Sequence, residues 1–225
     1  MRGRVLIVAG SDTDSFVQAD IEMVAALGGR ATPAKSVRRT IEALLGDTGA
    51  DAIKIGMLPD EAAIDAVAAA LEATAGKIPW VVDPVMRANG GAAALDSIAS
   101  HALKAKLILH ATVLTPNVPE AEVLTGMSIT HAGDLERAAH MLLTLGAKAV
   151  LIKGGQLAGE TVHDLLLGEG VMEWFRGPRL GGADAKGPGG TLASGIAAGL
   201  AQGMGLRDAV ARARDRIMDA IPVAP

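Results

Sequence analysis

Residues 5–29 read VLIVAGSDTDSFVQADIEMVAALGG. Val5 to Ala9 is an unbroken apolar run closed by Gly10, the pattern of a strand covered on both faces. Ser15 predicts a helix N-cap, with Gln18 three residues on completing a capping box. Val17, Ile21, Val24 and Leu27 then keep helical spacing until Gly28-Gly29 ends the helix. The unit repeats along the chain. Strands are expected at Ala52–Ile55, Trp80–Val82, Leu107–Leu114 and Ala149–Ile152. Helices are expected at about Ser36–Leu45, Asp60–Ala75, Asp96–Ala105, Pro119–Leu124 and Leu135–Leu145. Beyond Gly155 the pattern changes: Thr161–Leu167 and Val171–Phe175, separated by Gly168-Glu169-Gly170, predict a hairpin at the end of the sheet. A glycine-rich loop, Gly181–Gly190, opens a small-residue helix from Thr191 to about Ala201, and a last helix spans about Leu206–Ala220. Alternation at these spacings predicts a three-layer α/β/α sandwich, its central sheet mostly parallel. With no repeat and no linker, residues 1–225 are expected to form one α/β domain.

Composition agrees. Of the 225 residues half are hydrophobic and 20% are charged, enough apolar side chain for a substantial core and too much for a disordered chain. With two Phe, two Trp and no Tyr, that core is aliphatic. Cysteine is absent, which excludes disulfides, thiolate metal ligation and a thiol nucleophile. A net charge of −4 and a pI near 5.7 leave no electrostatic footprint for nucleic acid. The basic clusters at Lys35, Arg38, Arg39 and at Arg207, Arg212, Arg214, Arg216 have acidic neighbours and read as solvated helix faces. The apolar run after Met1-Arg2-Gly3-Arg4 meets Ser11-Asp12 too soon for a signal peptide or a membrane span, so a soluble cytoplasmic protein is expected.

In such a sheet ligands bind beyond the carboxyl ends of the strands. The residues standing there are Gly10-Ser11-Asp12, Gly56-Met57, Asp83-Pro84-Val85-Met86, Thr115-Pro116-Asn117-Val118-Pro119-Glu120 and Lys153-Gly154-Gly155. Singly each has a plain structural role: Asp12 and Asn117 can cap helices, and Gly56 can turn the chain. Together they put three carboxylates, a lysine and several glycines on one rim. Lys186-Gly187-Pro188-Gly189-Gly190-Thr191 runs straight into a helix, so backbone N–H groups and the helix dipole would face an anion there. Phosphate is the natural guest, and rim carboxylates could hold Mg²⁺ through water. The loop lacks the Gly-Lys-Ser/Thr ending of a P-loop, and the first turn lacks the G-x-G-x-x-G dinucleotide pattern, which speaks against a nicotinamide-dependent dehydrogenase.

Ala9-Gly10-Ser11-Asp12 with Gln18-Ala19-Asp20, Lys54-Ile55-Gly56-Met57-Leu58, Val82-Asp83-Pro84-Val85-Met86, Thr115-Pro116-Asn117-Val118-Pro119-Glu120-Ala121 and Lys153-Gly154-Gly155 resemble the hydroxymethylpyrimidine/phosphomethylpyrimidine kinases of thiamine biosynthesis, within the ribokinase-like superfamily. The motifs follow family order from Val5 to about Leu200. The resemblance implies a ribokinase-like fold and Mg²⁺-dependent transfer of the ATP γ-phosphate to a small hydroxymethyl or phosphomethyl pyrimidine. It implies that Asp12 and Met57 line the pyrimidine pocket, and that Asp83 and Glu120 organise Mg²⁺ and water. Asn117, Glu120, Lys153 and Thr191 would serve the nucleotide and its phosphates. Lys153 would neutralise phosphate charge, and Gly187 to Thr191, with Gly189 and Gly190, would form the anion hole. A homodimer is also suggested.

Three departures accompany the resemblance. The family's loop reads Gly-Thr-Gly-Cys, or Gly-Thr-Gly-Asp in the wider superfamily, with the fourth residue as base; here that position is Gly190, which can accept no proton, and Asp184 is the substitute nearest in sequence. Pro188, where the family has Thr, removes one N–H from the anion hole. The 21 residues between Gly29 and Asp51 hold one helix and its loops, given about 11–12 residues for a helix. The family has further strands there, carrying a substrate-binding Gln in a Thr-Ala-x-x-Ala-Gln-Asn-Thr context that is missing here, so the lid is expected to be reduced or absent. The first loop, Ser11-Asp12-Thr13-Asp14-Ser15-Phe16, is shorter than the family's glycine-rich segment. Two readings stand at this point: an enzyme of the phosphotransferase class, or a catalytically impaired relative that keeps ligand binding in a regulatory role.

Overall fold

A computed structural model describes residues 3–10, 14–86, 95–168, 170–179 and 188–220. The elements run β1 (Arg4–Ala9), α1 (Asp14–Ala26), β2 (Arg30–Lys35), α2 (Arg38–Asp47), β3 (Ala52–Ile55), α3 (Glu61–Leu71), β4 (Trp80–Val82) and α4 (Ser97–Lys106). They continue as β5 (Val113–Leu114), α5 (Val118–Thr125), α6 (Ala132–Leu143), β6 (Ala149–Ile152), β7 (Thr161–Gly168), β8 (Val171–Pro178), α7 (Pro188–Ala201) and α8 (Leu206–Ala220). The strands form one sheet in the order β2-β1-β3-β4-β5-β6-β7-β8. The six from β2 to β6 are parallel, and β7 and β8 close the sheet as an antiparallel hairpin.

The apolar runs follow from burial on both faces. Successive side chains of a strand point to opposite sides. Leu6 and Val8 accordingly join a core under α2 to α6, whereas Val5 and Ile7 join a second core under α1, α7 and α8. This is the three-layer sandwich the alternation predicts. Trp80 of β4 is almost wholly buried in the first core, its indole N–H donating to Thr74 Oγ1 at 3.0 Å.

Topology sets the place of the site. From β1 the chain crosses through α1 to β2 on one side, then returns through α2 to β3 on the other side of β1. Crossovers of one hand put α1 and α2 on opposite faces and open a crevice where the direction reverses, beyond the carboxyl ends of β1 and β3. There the Gly10 amide donates to the Met57 carbonyl at 2.7 Å.

Three expectations need correction. The interval 30–50 holds the strand β2 as well as a helix; with Ala34 alone buried in Arg-Ala-Thr-Pro-Ala-Lys, it has no apolar run to announce it. A sheet edge tolerates that pattern and its proline. The strand expected at Leu107–Leu114 is only Val113–Leu114, preceded by a 3₁₀ turn at Ile108–His110. Ser15 lies within α1 rather than ahead of it, and Gln18 donates to Glu22 at 2.9 Å instead of closing a capping box.

Candidate active site

Lys54 stands in the middle of β3, between Ile53 and Ile55, and only 4% of it is exposed. An ammonium so buried requires a partner. Asp20 of α1 provides it, with Oδ2 at 2.6 Å from Nζ and its own exposure at 3%. Burial pushes the Asp20 carboxyl above its ordinary range, against the opposing pull of Lys54. Gly56 makes room for this pair: a Cβ there would come within 2.7 Å of Lys54 Nζ.

A second pair, Asp83 buried and Lys153 partly so, lies across the next strand ends. Asp83, after β4, accepts on Oδ1 from Lys153 Nζ at 2.8 Å and from Thr115 Oγ1 at 3.1 Å. Lys153 is positioned by its backbone, whose amide donates to the Pro116 carbonyl at 2.8 Å and extends the β5–β6 pairing to Asn117. Gly154 is pinned in turn, its amide donating to Asp164 Oδ1 at 2.8 Å, while Asp164 also pairs with Arg214 of α8. Asn117 and Glu120 form a reciprocal capping box at the start of α5: Asn117 Oδ1 accepts from the Glu120 amide at 2.9 Å, and Glu120 Oε2 from the Asn117 amide at 2.8 Å. That holds Glu120 buried beside the second pair. Burial pushes its carboxyl up to about 7; Lys153 opposes the shift and Asp83 adds to it.

Position 190 joins the two pairs. Gly190 is in the first turn of α7, and a Cβ on it would lie 3.6 Å from Asp83 Oδ2, 3.9 Å from Asp20 Oδ1 and 4.0 Å from Lys54 Nζ. The structure thus brings Asp83, Asn117, Glu120, Lys153 and Gly190 into one neighbourhood. Gly189 and Thr191 share the same helical turn, and Met57 sits at the β1–β3 crevice. Asp12, Asp184 and Gly187 lie outside the described residues. Sequence reasoning gave no role to Asp20 and Lys54. The signal was present, since a lysine inside the four-residue strand Ala52–Ile55 demands a buried counter-charge.

Among the described residues no group of three His, Asp or Glu side chains is set to grip a metal directly. Glu120 Oε2 already accepts from the Asn117 amide, whereas Asp83 Oδ2 accepts no hydrogen bond from a described residue. That donor set suits a hydrated Mg²⁺ held through water. No described helix is long and apolar enough to cross a membrane.

Comparison with known proteins fits this geometry. The family profile described as phosphomethylpyrimidine kinase matches residues 17–224. A hydroxymethylpyrimidine/phosphomethylpyrimidine kinase of Streptomyces coelicolor is 37% identical, over 96% of this chain and 88% of that protein. The thiamine biosynthesis bifunctional protein ThiED of Geobacter sulfurreducens is 39% identical over 99% of this chain, which spans 50% of its length. Among solved structures, a phosphomethylpyrimidine kinase from Clostridium difficile 630 superposes with a TM-score of 0.84 at 31% identity, covering 97% of this chain and 99% of that one. The Bacillus subtilis pyridoxal kinase in an ADP complex gives 0.87 at 27% identity, covering 100% and 95%. The Streptomyces, Clostridium and Bacillus relatives are kinases, and nothing in them supports the non-catalytic alternative. By profile, by relatives of matching length and by the ribokinase-like architecture they share, the chain belongs to the phosphomethylpyrimidine kinase family.

Proposed function

We propose that this chain transfers the γ-phosphate of ATP to the hydroxyl of a hydroxymethylpyrimidine or to the phosphate of its phosphomethyl derivative. The observation that carries the reading is the pairing of buried Asp83 with the partly buried Lys153, with Glu120 beside it, under the N-terminal turn of a 14-residue helix. Phosphoryl transfer asks the protein mainly for positioning and charge neutralisation. Lys153 reaches the transferring phosphate as its counter-charge, and Asp83 holds the ammonium in place until then. Gly187, Gly189, Gly190 and Thr191 offer amide N–H groups to the developing charge. Asn117 and Glu120 order the loop that faces the nucleotide, and Thr191 faces its phosphates. Asp12 and Met57 border the pyrimidine. Asp83 and Glu120 would hold the water shell of a Mg²⁺ bound with ATP, and that ion would supply shielding of the phosphate charge. A homodimer and a cytoplasmic location belong to the same reading.

The test is ADP release with Mg-ATP and hydroxymethylpyrimidine, its phosphate, or pyridoxal as acceptor. Turnover of a pyrimidine on the order of 1–100 s⁻¹ is expected. Lys153→Met should lower kcat by about 100-fold or more while the melting temperature stays within a few degrees. Equal turnover by Lys153→Met would falsify the role given to that residue, and phosphorylation of pyridoxal alone would overturn the substrate class.

A further inference from the structure

The space over Gly190 is not explained by the reading above. A Cβ fits there, since its three nearest neighbours stand at ordinary contact distances of 3.6, 3.9 and 4.0 Å. Glycine is therefore not required to relieve a clash. Among the described residues its effect is to leave room for a Cβ beside charged atoms of two ion pairs.

The pairs differ in what they face. Asp83 spends Oδ1 on Lys153 and Thr115 at the ends of β4, β5 and β6, on the side of the proposed phosphate site. Asp20 spends Oδ2 on Lys54 and leaves Oδ1 toward position 190. It comes from α1, the helix following the β1 loop, and the ammonium that holds it lies under Gly56, next to Met57. This pair is on the side of the crevice where the proposed reading puts the pyrimidine. Buried at 3% exposure, the carboxylate is poorly solvated, which raises its affinity for a proton. The fully buried Ser194 hydroxyl, one turn along α7, lies close to it without reaching hydrogen-bond geometry. Among the described residues, the other ionisable groups about this carboxylate are Lys54 and Asp83.

We propose that Asp20 is the proton acceptor for the acceptor hydroxyl, reached through the space that Gly190 leaves open, with Lys54 fixing its carboxylate. The inference rests on the kinase reading. In the step, the substrate oxygen forms a bond to the γ-phosphorus as the bond from that phosphorus to the ADP oxygen breaks. The hydroxyl O–H bond breaks, its proton passes to Asp20 Oδ1, and it leaves to solvent with the product.

The experiment compares kcat, ATP affinity and melting for wild type and variants with hydroxymethylpyrimidine. Asp20→Asn is expected to lower kcat by about 100-fold or more, with ATP affinity changed less than about threefold. Because Asn leaves Lys54 unpaired, Asp20→Asn/Lys54→Met is the companion variant; it removes both charges and should show the same loss in a folded protein. Adding Gly190→Cys to either variant places a thiol in the open space and should restore kcat at least about tenfold. The restored activity should fall to iodoacetamide, to which the cysteine-free wild type is indifferent. Gly190→Cys should not restore Asp83→Asn. A folded Asp20 variant with kcat within about threefold of wild type overturns the inference, and so does restoration of Asp83→Asn in place of Asp20→Asn. If wild type phosphorylates no pyrimidine at all, the kinase reading itself fails and this inference falls with it.

Discussion

Asp134 of α6 shows how much one carboxylate can do when amides surround it. Its Oδ2 accepts from the Thr130 amide at 3.0 Å and the His131 amide at 3.2 Å, and its Oδ1 from Arg137 at 2.7 Å. The amide of Thr130 first, then Arg137 and His131, pull its carboxyl down to about 2 from an ordinary 3.8. A depressed pKa means the folded state binds this proton less readily than the unfolded chain. The stabilisation is thus complete above about pH 4 and is lost as pH falls toward 2. Asp134→Asn should melt lower than wild type at neutral pH and show a shallower loss between pH 4 and 2, as read by circular dichroism. Such residues differ in legibility. Asn117 and Glu120 are readable because a capping box is local in sequence. Asp20 and Lys54 are 34 residues apart, and their pairing depends on β3 lining up beside β1, which brings Lys54 next to α1. Asp184 and Gly187 remain expectations from sequence.

At the scale of elements, α7 carries the proposed anion site and is held by close approach to α8. A Cβ on Gly199 would lie 2.6 Å from Ala209 Cβ and 3.0 Å from its Cα, and one on Gly195 2.7 Å from Ala213 Cβ. Backbone cannot yield as a flexible side chain can. Gly199→Ala should therefore cost about 1–3 kcal/mol, a melting-temperature loss on the order of 2–10 °C. Gly46→Ala, in α2 with open space around it, should instead gain about 0.5–1 kcal/mol and provides the contrast. A fall in both would mean that helix packing is not the cause. The small-residue helix is plain in the sequence as a run of Gly and Ala, but its partner is not. The strand β2 was hidden for the converse reason: an edge strand needs few apolar residues, so periodicity has nothing to register.

For the whole molecule, the strand order is what converts five separate rim motifs into one site. Both faces of the sheet are covered, so the apolar runs of β1, β3 and β6 are legible without a structure. The reversal between β2 and β3 is not encoded in any run. It follows from the order β2-β1-β3, and it places the Asp20–Lys54 pair beside the crevice.

The two tryptophans divide the molecule optically. Trp80 sits in a central strand of the sheet at 1% exposure, edge-on to His110 with ring centroids 5.7 Å apart, while Trp174 is half-buried on the terminal hairpin. Emission from Trp80 should be blue and change only with global unfolding, whereas Trp174 should report loosening of β7 and β8. Trp174→Phe then leaves a single-tryptophan protein whose denaturant transition is a readout of the parallel sheet alone. If that transition coincided with the one that Trp174 reports in the wild type, the hairpin and the parallel sheet would unfold as one cooperative unit and not two.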